Sequence, residues 1–397
     1  MTPLVLTRFT ATSCLGPGVD ATLEALRATR SGLTPCKFQD VDIDTWVGVV
    51  PDLDSAVLTG PWRDFNCRNN RLAHAALAAD GFREAVGAAV RRLGAERVGV
   101  FIGSSTSGIL ETEVAYRHLD PVTGALPPAF SYAGTHNMYS AAAFTRAVLG
   151  LEGPAVVVST ACSSSAKVFS AAARMIELGL IDAAVVGGVD TLCLTTLYGF
   201  QSLQLTAPRP CRPFAADRDG ISIGEAAAFA LLERPSDRDE DSSVVLLGVG
   251  ESNDGYHLST PHPQGLGARL AMQAALSSAD VAAADVGYVN LHGTGTLSND
   301  SAESIAVTAV LGTRVPCSST KGASGHALGA AGALEAVICA LALRHRLVPG
   351  GANTEVVDPA LTVNYATRTS AAPLSLALSN SFGFGGTNCS LLLGRRA

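Results

Sequence analysis

Cys162 stands in STACSSSAK, between the β-branched run AVVVST (155–160) and the alanine-rich stretch SAKVFSAAARMIELG (165–179). A strand that enters a helix through a sharp turn can present a nucleophile above a sheet. The helix N-terminus favours an anion, so a thiolate is expected there with a lowered pKa. Thiolates attack thioesters and accept their acyl groups. Such a nucleophile needs proton management and charge stabilisation beside it. Two histidines offer this: His292 in NLHGTGTLSND and His326 in STKGASGHALGAAG. Each falls at a strand end or a helix start, where α/β proteins place ligand sites. One histidine in either place is more often structural, but two in small-residue loops, with the cysteine, define a candidate site. Lys321, five residues before His326, and Glu303, with Asp300 just ahead of it, are candidates for a pair that orients His326 and fixes its charge.

The run SNSFGFGGTNCSLLLG (379–394) resembles a dinucleotide fingerprint only in its glycines. It lies between two strand-like segments, LSLALS and CSLLL, with no helix to follow, and it lacks a GK[ST] ending. It reads better as a tight loop whose backbone N–H groups face a reacting oxygen, with Phe384 its large side chain. His257 and His262 in YHLSTPHP have no cysteine or carboxylate at ligand spacing, so no metal site is expected.

The elements that must hold these residues follow from periodicity. AVVVST, the helix at 165–179 and DAAVVGGV (182–189) form a β-α-β run, which implies a mainly parallel sheet under helices. GYVNLHGTG (287–295) and VPCSSTKG (315–322) read as strands entering loops, and GHALGAAGALEAVICALALRHR (325–346) as a long helix. ST precedes the loop and helix at 159–160 and again at 319–320, a hint of internal duplication. The charged stretch DRDEDS (237–242) is the expected boundary between halves at 1–240 and 241–397, one with the cysteine and one with the histidines.

The 397 residues are 47% hydrophobic and only 16% charged, which excludes a disordered chain. A net charge of −7 argues against nucleic acid as a partner. Nine scattered cysteines with no CxxC pair read as reduced thiols of a cytoplasmic protein. The start MTPLVLTRFTATS has no signal-peptide pattern, and Gly, Asp, Ser or Arg breaks every apolar run, so no membrane span is expected.

Five ordered motifs carry a family resemblance: TACSSS around Cys162, RPFAADRDG (212–220), NLHGTGTLSND, STKGASGHALGAAG and NSFGFGGTN (380–388). Together they resemble the β-ketoacyl-acyl-carrier-protein synthases and the related polyketide ketosynthases over nearly the whole chain. The resemblance implies the thiolase fold, an α/β architecture of two similar halves in five α-β-α-β-α layers. It implies that Cys162 takes the acyl group, that His292 and His326 bind a malonyl thioester and assist its decarboxylation, and that Lys321 and Glu303 support them. It implies an oxyanion hole of the Cys162 and Phe384 backbone N–H groups, pantetheine contacts from Thr294 and Thr296, and Phe384 as a gate over the acyl pocket. No cofactor is implied beyond the phosphopantetheine of an acyl carrier protein. Arg68 and Arg71 in CRNNRLAHAA lie where the family has a basic carrier-docking helix. The implied assembly is a homodimer or a heterodimer with a chain-length-factor-like subunit.

The chain departs from the usual pattern at TKG, where TKS is common, and at Ala215 and Ile221, where aspartate and phenylalanine are common. The triple serine after Cys162 is more polyketide-like, which suggests a specialised pigment or polyene pathway. A non-catalytic chain-length factor would lack the cysteine. A thiolase would use a second cysteine, whereas Phe384 occupies the relevant loop and Cys389 lies beyond the glycines.

Overall fold

The runs AAVVGGVD and AAAFALLE carry no polar face, and both become strands covered on two sides. Within AAAFALLE, Ala226, Ala228, Ala230 and Leu232 enter one hydrophobic core, while Ala227, Phe229 and Leu231 enter another. Side chains of a strand alternate faces, so one strand feeds two cores. The computed structural model describes residues 1–236 and 243–396, and the DRDEDS segment at 237–242 lies outside the described residues.

Eleven strands form one continuous path: β1 Leu4–Ser13, β2 Val98–Gly103, β3 Ala155–Val158, β4 Ala183–Asp190, β5 Ala226–Glu233, β6 Val244–Asn253, β7 Tyr288–Asn290, β8 Pro316–Ser318, β9 Asn364–Tyr365, β10 Leu376–Gly383 and β11 Thr387–Arg395. Their order is β9-β8-β7-β10-β11-β6-β1-β5-β4-β2-β3. Outward from the β1–β6 junction, one arm runs β1, β5, β4, β2, β3 and the other β6, β11, β10, β7, β8. The pairing senses repeat as well. β2 is parallel to β3 and β4, and β7 is parallel to β8 and β10, while β5 and β11 are antiparallel to their neighbours. The two ST pairs follow β3 and β8, which are equivalent strands of the two arms.

Helices complete the layers. α1 (Arg68–Leu77), α2 (Phe82–Leu93) and α3 (Ser140–Leu149) cover the outer face of the first arm. α4 (Ser164–Glu177) and α8 (Ala331–His345) lie between the arms and touch strands of both. α5 (Leu194–Ser202) lies at the strand ends, and α6 (Leu266–Ala279) and α7 (Leu297–Leu311) cover the second arm. This is the five-layer thiolase fold. The run Leu328–His345 is apolar and long enough to cross a membrane, but it is buried between the arms as a core helix.

The histidine segment differs from the expected long helix over 325–346. The chain makes one short turn at Lys321–Ser324 and a 3-10 turn at Leu328–Ala330 before α8 begins. His326 lies between these, bridged to Ile223, with its N–H on Ser222 O and its C=O taking Gly224 N–H. Leu328 at φ +49° is left-handed and ends any continuous helix there. The strands before the histidine and lysine loops are also shorter than expected, at three residues each.

Candidate active site

Small residues let the cysteine turn sit directly on the sheet. A Cβ on Gly103 would come within 2.3 Å of Ser165 N, and one on Gly188 within 2.5 Å of Ser165 Cβ, so α4 starts in contact with β2 and β4. Ala161 takes a left-handed φ of +51°. Hydroxyls hold that turn: Thr160 N–H donates to Ser164 Oγ (2.9 Å), Ser164 Oγ to Ala161 O (2.6 Å) and Ser163 Oγ to Thr160 O (2.9 Å). Cys162 follows, just ahead of α4, with its Sγ 3.0 Å from His326 Nε2 and within reach of the Phe384 backbone N–H.

The thiol is not the low-pKa group that its position before a helix suggested. Burial pushes it up to about 11, against the opposing pull of Lys321 and the Phe384 N–H. Desolvation exceeds what a helix terminus returns. Cys162 therefore rests as a thiol and gives up its proton during attack.

The histidines are tuned as donors. Leu328 N–H donates to His326 Nδ1 at 3.2 Å, so the ring proton is on Nε2, the atom facing Cys162. The Lys321 ammonium lies 3.4 Å from His292 Nδ1, which places the proton of that ring on Nε2 too. The rings stand 5.3 Å apart and nearly perpendicular. Both pKa values lie well below the ordinary histidine value, driven by burial and then by Lys321, so both rings stay neutral. Cys162 Sγ and ring nitrogens of His292 and His326 lie within 4.8 Å of one another, close enough for a metal ion. The outer partners argue otherwise. A metal-binding histidine donates its far N–H to an acceptor, whereas both far nitrogens here receive a donor.

The support differs from the expected Lys321–Glu303 pair around His326. Lys321 pairs with Glu335 of α8, a residue that sequence reasoning missed. The signal was available, because Glu335 is the one acid in the apolar stretch of α8. Burial raises its carboxyl to about 7, with Lys321 opposing. Glu303, on α7, serves the other histidine: it accepts His292 N–H (2.8 Å), Gly293 N–H (2.7 Å) and Asn380 Nδ2 (3.2 Å). Burial raises it to about 7 as well, against those N–H groups. Asp300 accepts Phe214 N–H and Gly295 N–H, tying the RPF segment to the His292 loop.

One pocket gathers Cys162, both histidines, Thr294, Thr296 and Phe384. Thr294 and Thr296 share a hydroxyl hydrogen bond of 2.9 Å, and the Phe384 ring lies 5.7 Å from that of Phe200 on α5, a second aromatic wall that sequence reasoning did not name. Of the two arginines expected to dock a carrier, the structure buries Arg68 and leaves Arg71 half-buried. Arg68 is 3% exposed and donates to Glu225 (2.6 and 2.8 Å) and Asp54 (2.9 Å). Arg71 is half-buried and holds Asn66 Oδ1 at 2.8 Å. The Arg68 guanidinium is taken up by Glu225, which needs a cation inside the fold, and that of Arg71 by Asn66 and the Leu53 and Asp54 carbonyls.

Fold and site together define a thiol enzyme with two neutral histidine donors on a duplicated α/β scaffold. The family described as beta-ketoacyl synthase matches through its N-terminal domain over residues 1–238 and its C-terminal domain over residues 243–355. The chain belongs to the β-ketoacyl synthase family. It is 36% identical to 3-oxoacyl-[acyl-carrier-protein] synthase 2 of Rhizobium meliloti over 75% of this chain and 74% of the relative. Among solved structures it superposes on one chain of the complex of the ketosynthase (ApeO) with its chain length factor (ApeC) from Xenorhabdus doucetiae (TM-score 0.89, 37% identity, 99% of this chain and 98% of that chain). It superposes equally on the ishigamide ketosynthase/chain length factor (TM-score 0.89, 27% identity, 99% of each chain).

Proposed function

We propose that this chain is a β-ketoacyl-acyl-carrier-protein synthase, an acyltransferase that performs decarboxylative Claisen condensation. The observation that carries the reading is the pair of Nε2–H donors beside one buried thiol. Thiol–thioester exchange moves an acyl group from its carrier to Cys162, and the carrier leaves as a thiol. The tetrahedral oxyanion is held by the Cys162 and Phe384 N–H groups. A malonyl thioester then places its carbonyl oxygen between His292 and His326. The bond to its carboxylate breaks, carbon dioxide leaves, and the electron pair becomes an enolate stabilised by both donors. Its carbon attacks the acyl thioester and expels Cys162 sulfur, which regains a proton. Electrons balance within the two thioesters, so neither a metal nor a redox group is required. Thr294 and Thr296 hold the pantetheine arm and Phe384 gates the acyl pocket.

The partner is an acyl carrier protein, and the chain works in the cytoplasm as a dimer. A second form, the active half of a ketosynthase/chain-length-factor heterodimer, is favoured by the likeness to the two complexes named above. The acyl chains are those of fatty-acid, polyene or polyketide assembly. The test is intact-mass analysis with a panel of acyl carrier proteins followed by malonyl carrier protein. The expected result is a gain of one acyl group, absent in Cys162→Ala, and its release as a longer β-ketoacyl product. No acylation by any donor, with the chain alone or with its partner subunit, would sink the reading.

A further inference from the structure

Asp190, the last residue of β4, is fully buried, and among the described residues its partners are hydrogen-bond donors rather than a cation. Six donors converge on its carboxylate. Oδ1 accepts Ser104 Oγ (2.7 Å), Thr106 N–H (2.9 Å) and Thr106 Oγ1 (2.7 Å). Oδ2 accepts Ser105 Oγ (2.7 Å) and Gly329 N–H (2.6 Å), and both oxygens share Ser105 N–H at 3.0 Å. Five of these donors come from the loop after β2. The sixth comes from the other half of the molecule, three residues beyond His326.

That sixth bond reaches the chemistry through the adjacent residue. Gly329 N–H is fixed on Asp190 and, at 3.2 Å, on Ser105 Oγ. Leu328, immediately before it, is held left-handed and donates its N–H to His326 Nδ1. A left-handed leucine costs free energy and persists only where its surroundings impose it. A Cβ on Gly329 would lie 2.7 Å from both Asp190 Oδ2 and Ser105 N, so the turn is pressed onto the carboxylate.

We propose that Asp190 is a positioning residue for His326: by anchoring Gly329 N–H it holds Leu328 N–H on Nδ1, and so keeps the proton of His326 on Nε2, directed at Cys162 and at an incoming thioester. The consequence for catalysis rests on the condensing reading, but the effect on the ring proton does not.

Asp190→Asn tests this with little change of shape. Whichever way the amide sits, its NH₂ opposes a backbone N–H, that of Gly329 on one side or Thr106 on the other. In the full-length protein labelled with ¹⁵N-histidine, with His326→Asn used to assign the signal, the wild type shows a bare Nδ1 and a protonated Nε2. The variant is expected to populate the other tautomer. Malonyl-thioester decarboxylation should fall roughly 10- to 100-fold, the size expected for a misplaced donor, while acylation of Cys162 by a small acyl thioester falls less. Ser105→Ala leaves the Asp190–Gly329 bond and should stay within about threefold of wild type. If Asp190→Asn does not fold, Gly329→Ala moves the same turn and takes its place. A wild-type tautomer in both Asp190→Asn and Gly329→Ala, or a decarboxylation loss that follows thermal stability equally in Asp190→Asn and Ser105→Ala, overturns the proposal. A wild-type chain that neither takes an acyl group nor releases carbon dioxide defeats the condensing reading instead, and the tautomer measurement still decides the role of Asp190.

Discussion

The two arms of the sheet share one strand order, yet their equivalent loops do different work. After β2, Ser104, Ser105 and Thr106 wrap a buried carboxylate, whereas after the equivalent β7 the loop presents His292 to the pocket. After β3 comes Cys162 in a turn built from serines and alanines. After the equivalent β8 come Lys321 and His326. The first arm contributes a nucleophile shaped mainly by burial, against the pull of Lys321 and the Phe384 N–H from the second arm. The second contributes the donors that set the ring protons, Lys321 (paired with Glu335) on His292 and Leu328 N–H on His326, and Glu303, which holds the His292 backbone. A duplicated scaffold aims two sets of strand ends at one cleft. Separation of tasks lets the nucleophile and the donors be tuned by different means.

The sharpest break of this comparison is to delete one arm's contribution at a time. Cys162→Ala should abolish condensation, a loss of at least about 10⁴-fold, because no other group takes the acyl chain. It should still release carbon dioxide from a malonyl thioester, since both Nε2–H donors remain. His292→Ala should lose about 100-fold or more in that decarboxylation while Cys162 can still be acylated. Carbon dioxide release and intact mass, measured on the same samples, separate the two. Equal loss of both half-reactions in either variant would mean that the arms do not divide the work.

Lys321→Ala sharpens the second arm's side. It removes the donor to His292 Nδ1 and the charge that favours the Cys162 thiolate, and it leaves Glu335 buried without its cation. Decarboxylation should fall about 100-fold. Glu335→Gln keeps an acceptor for Nζ and should cost about tenfold or less. The ratio of decarboxylation rates checks the order. A Glu335→Gln loss as large as that of Lys321→Ala would show that the carboxylate, not the ammonium, sets the His292 proton.

Much of the first arm was legible from its residues. AVVVST and the helix after it are local signals, and the turn between them is short enough that Cys162 could be placed by counting. The motifs likewise named both histidines, Lys321, Glu303 and Phe384. Their pairing was not legible, because Lys321 meets Glu335 only once α8 lies between the arms, and His326 is fixed by contacts from Ser222, Gly224 and, through Gly329, Asp190. The thiol pKa failed for a related reason. Position before a helix is local, but the desolvation that outweighs it comes from layers far away in the chain. The burial of Arg68 was not legible either, because a basic helix start looks the same whether it faces solvent or a buried glutamate.

The smallest effect follows from protonation alone. His326 has a folded pKa well below its ordinary value, so between the two the unfolded chain binds a proton that the folded chain refuses. Its contribution to stability is complete above about pH 6.5 and is lost as pH falls below that. Glu303 has the opposite sign. With a folded pKa near 7 against 4.5, the folded chain keeps a proton that the unfolded chain has shed. Its contribution is complete below pH 4.5 and is lost as pH rises through 7. Between pH 4.5 and 6.5 the two slopes oppose each other. Removing one should tilt the stability curve in a direction fixed in advance: His326→Asn makes stability fall more steeply with rising pH, and Glu303→Gln makes it rise, each by at most about 1.4 kcal/mol per pH unit. Urea denaturation at half-unit pH steps reads the slope independently of any uniform loss of stability. Two variants tilting the same way would refute the assigned protonation states, and with them the account of how the second arm keeps its histidines neutral.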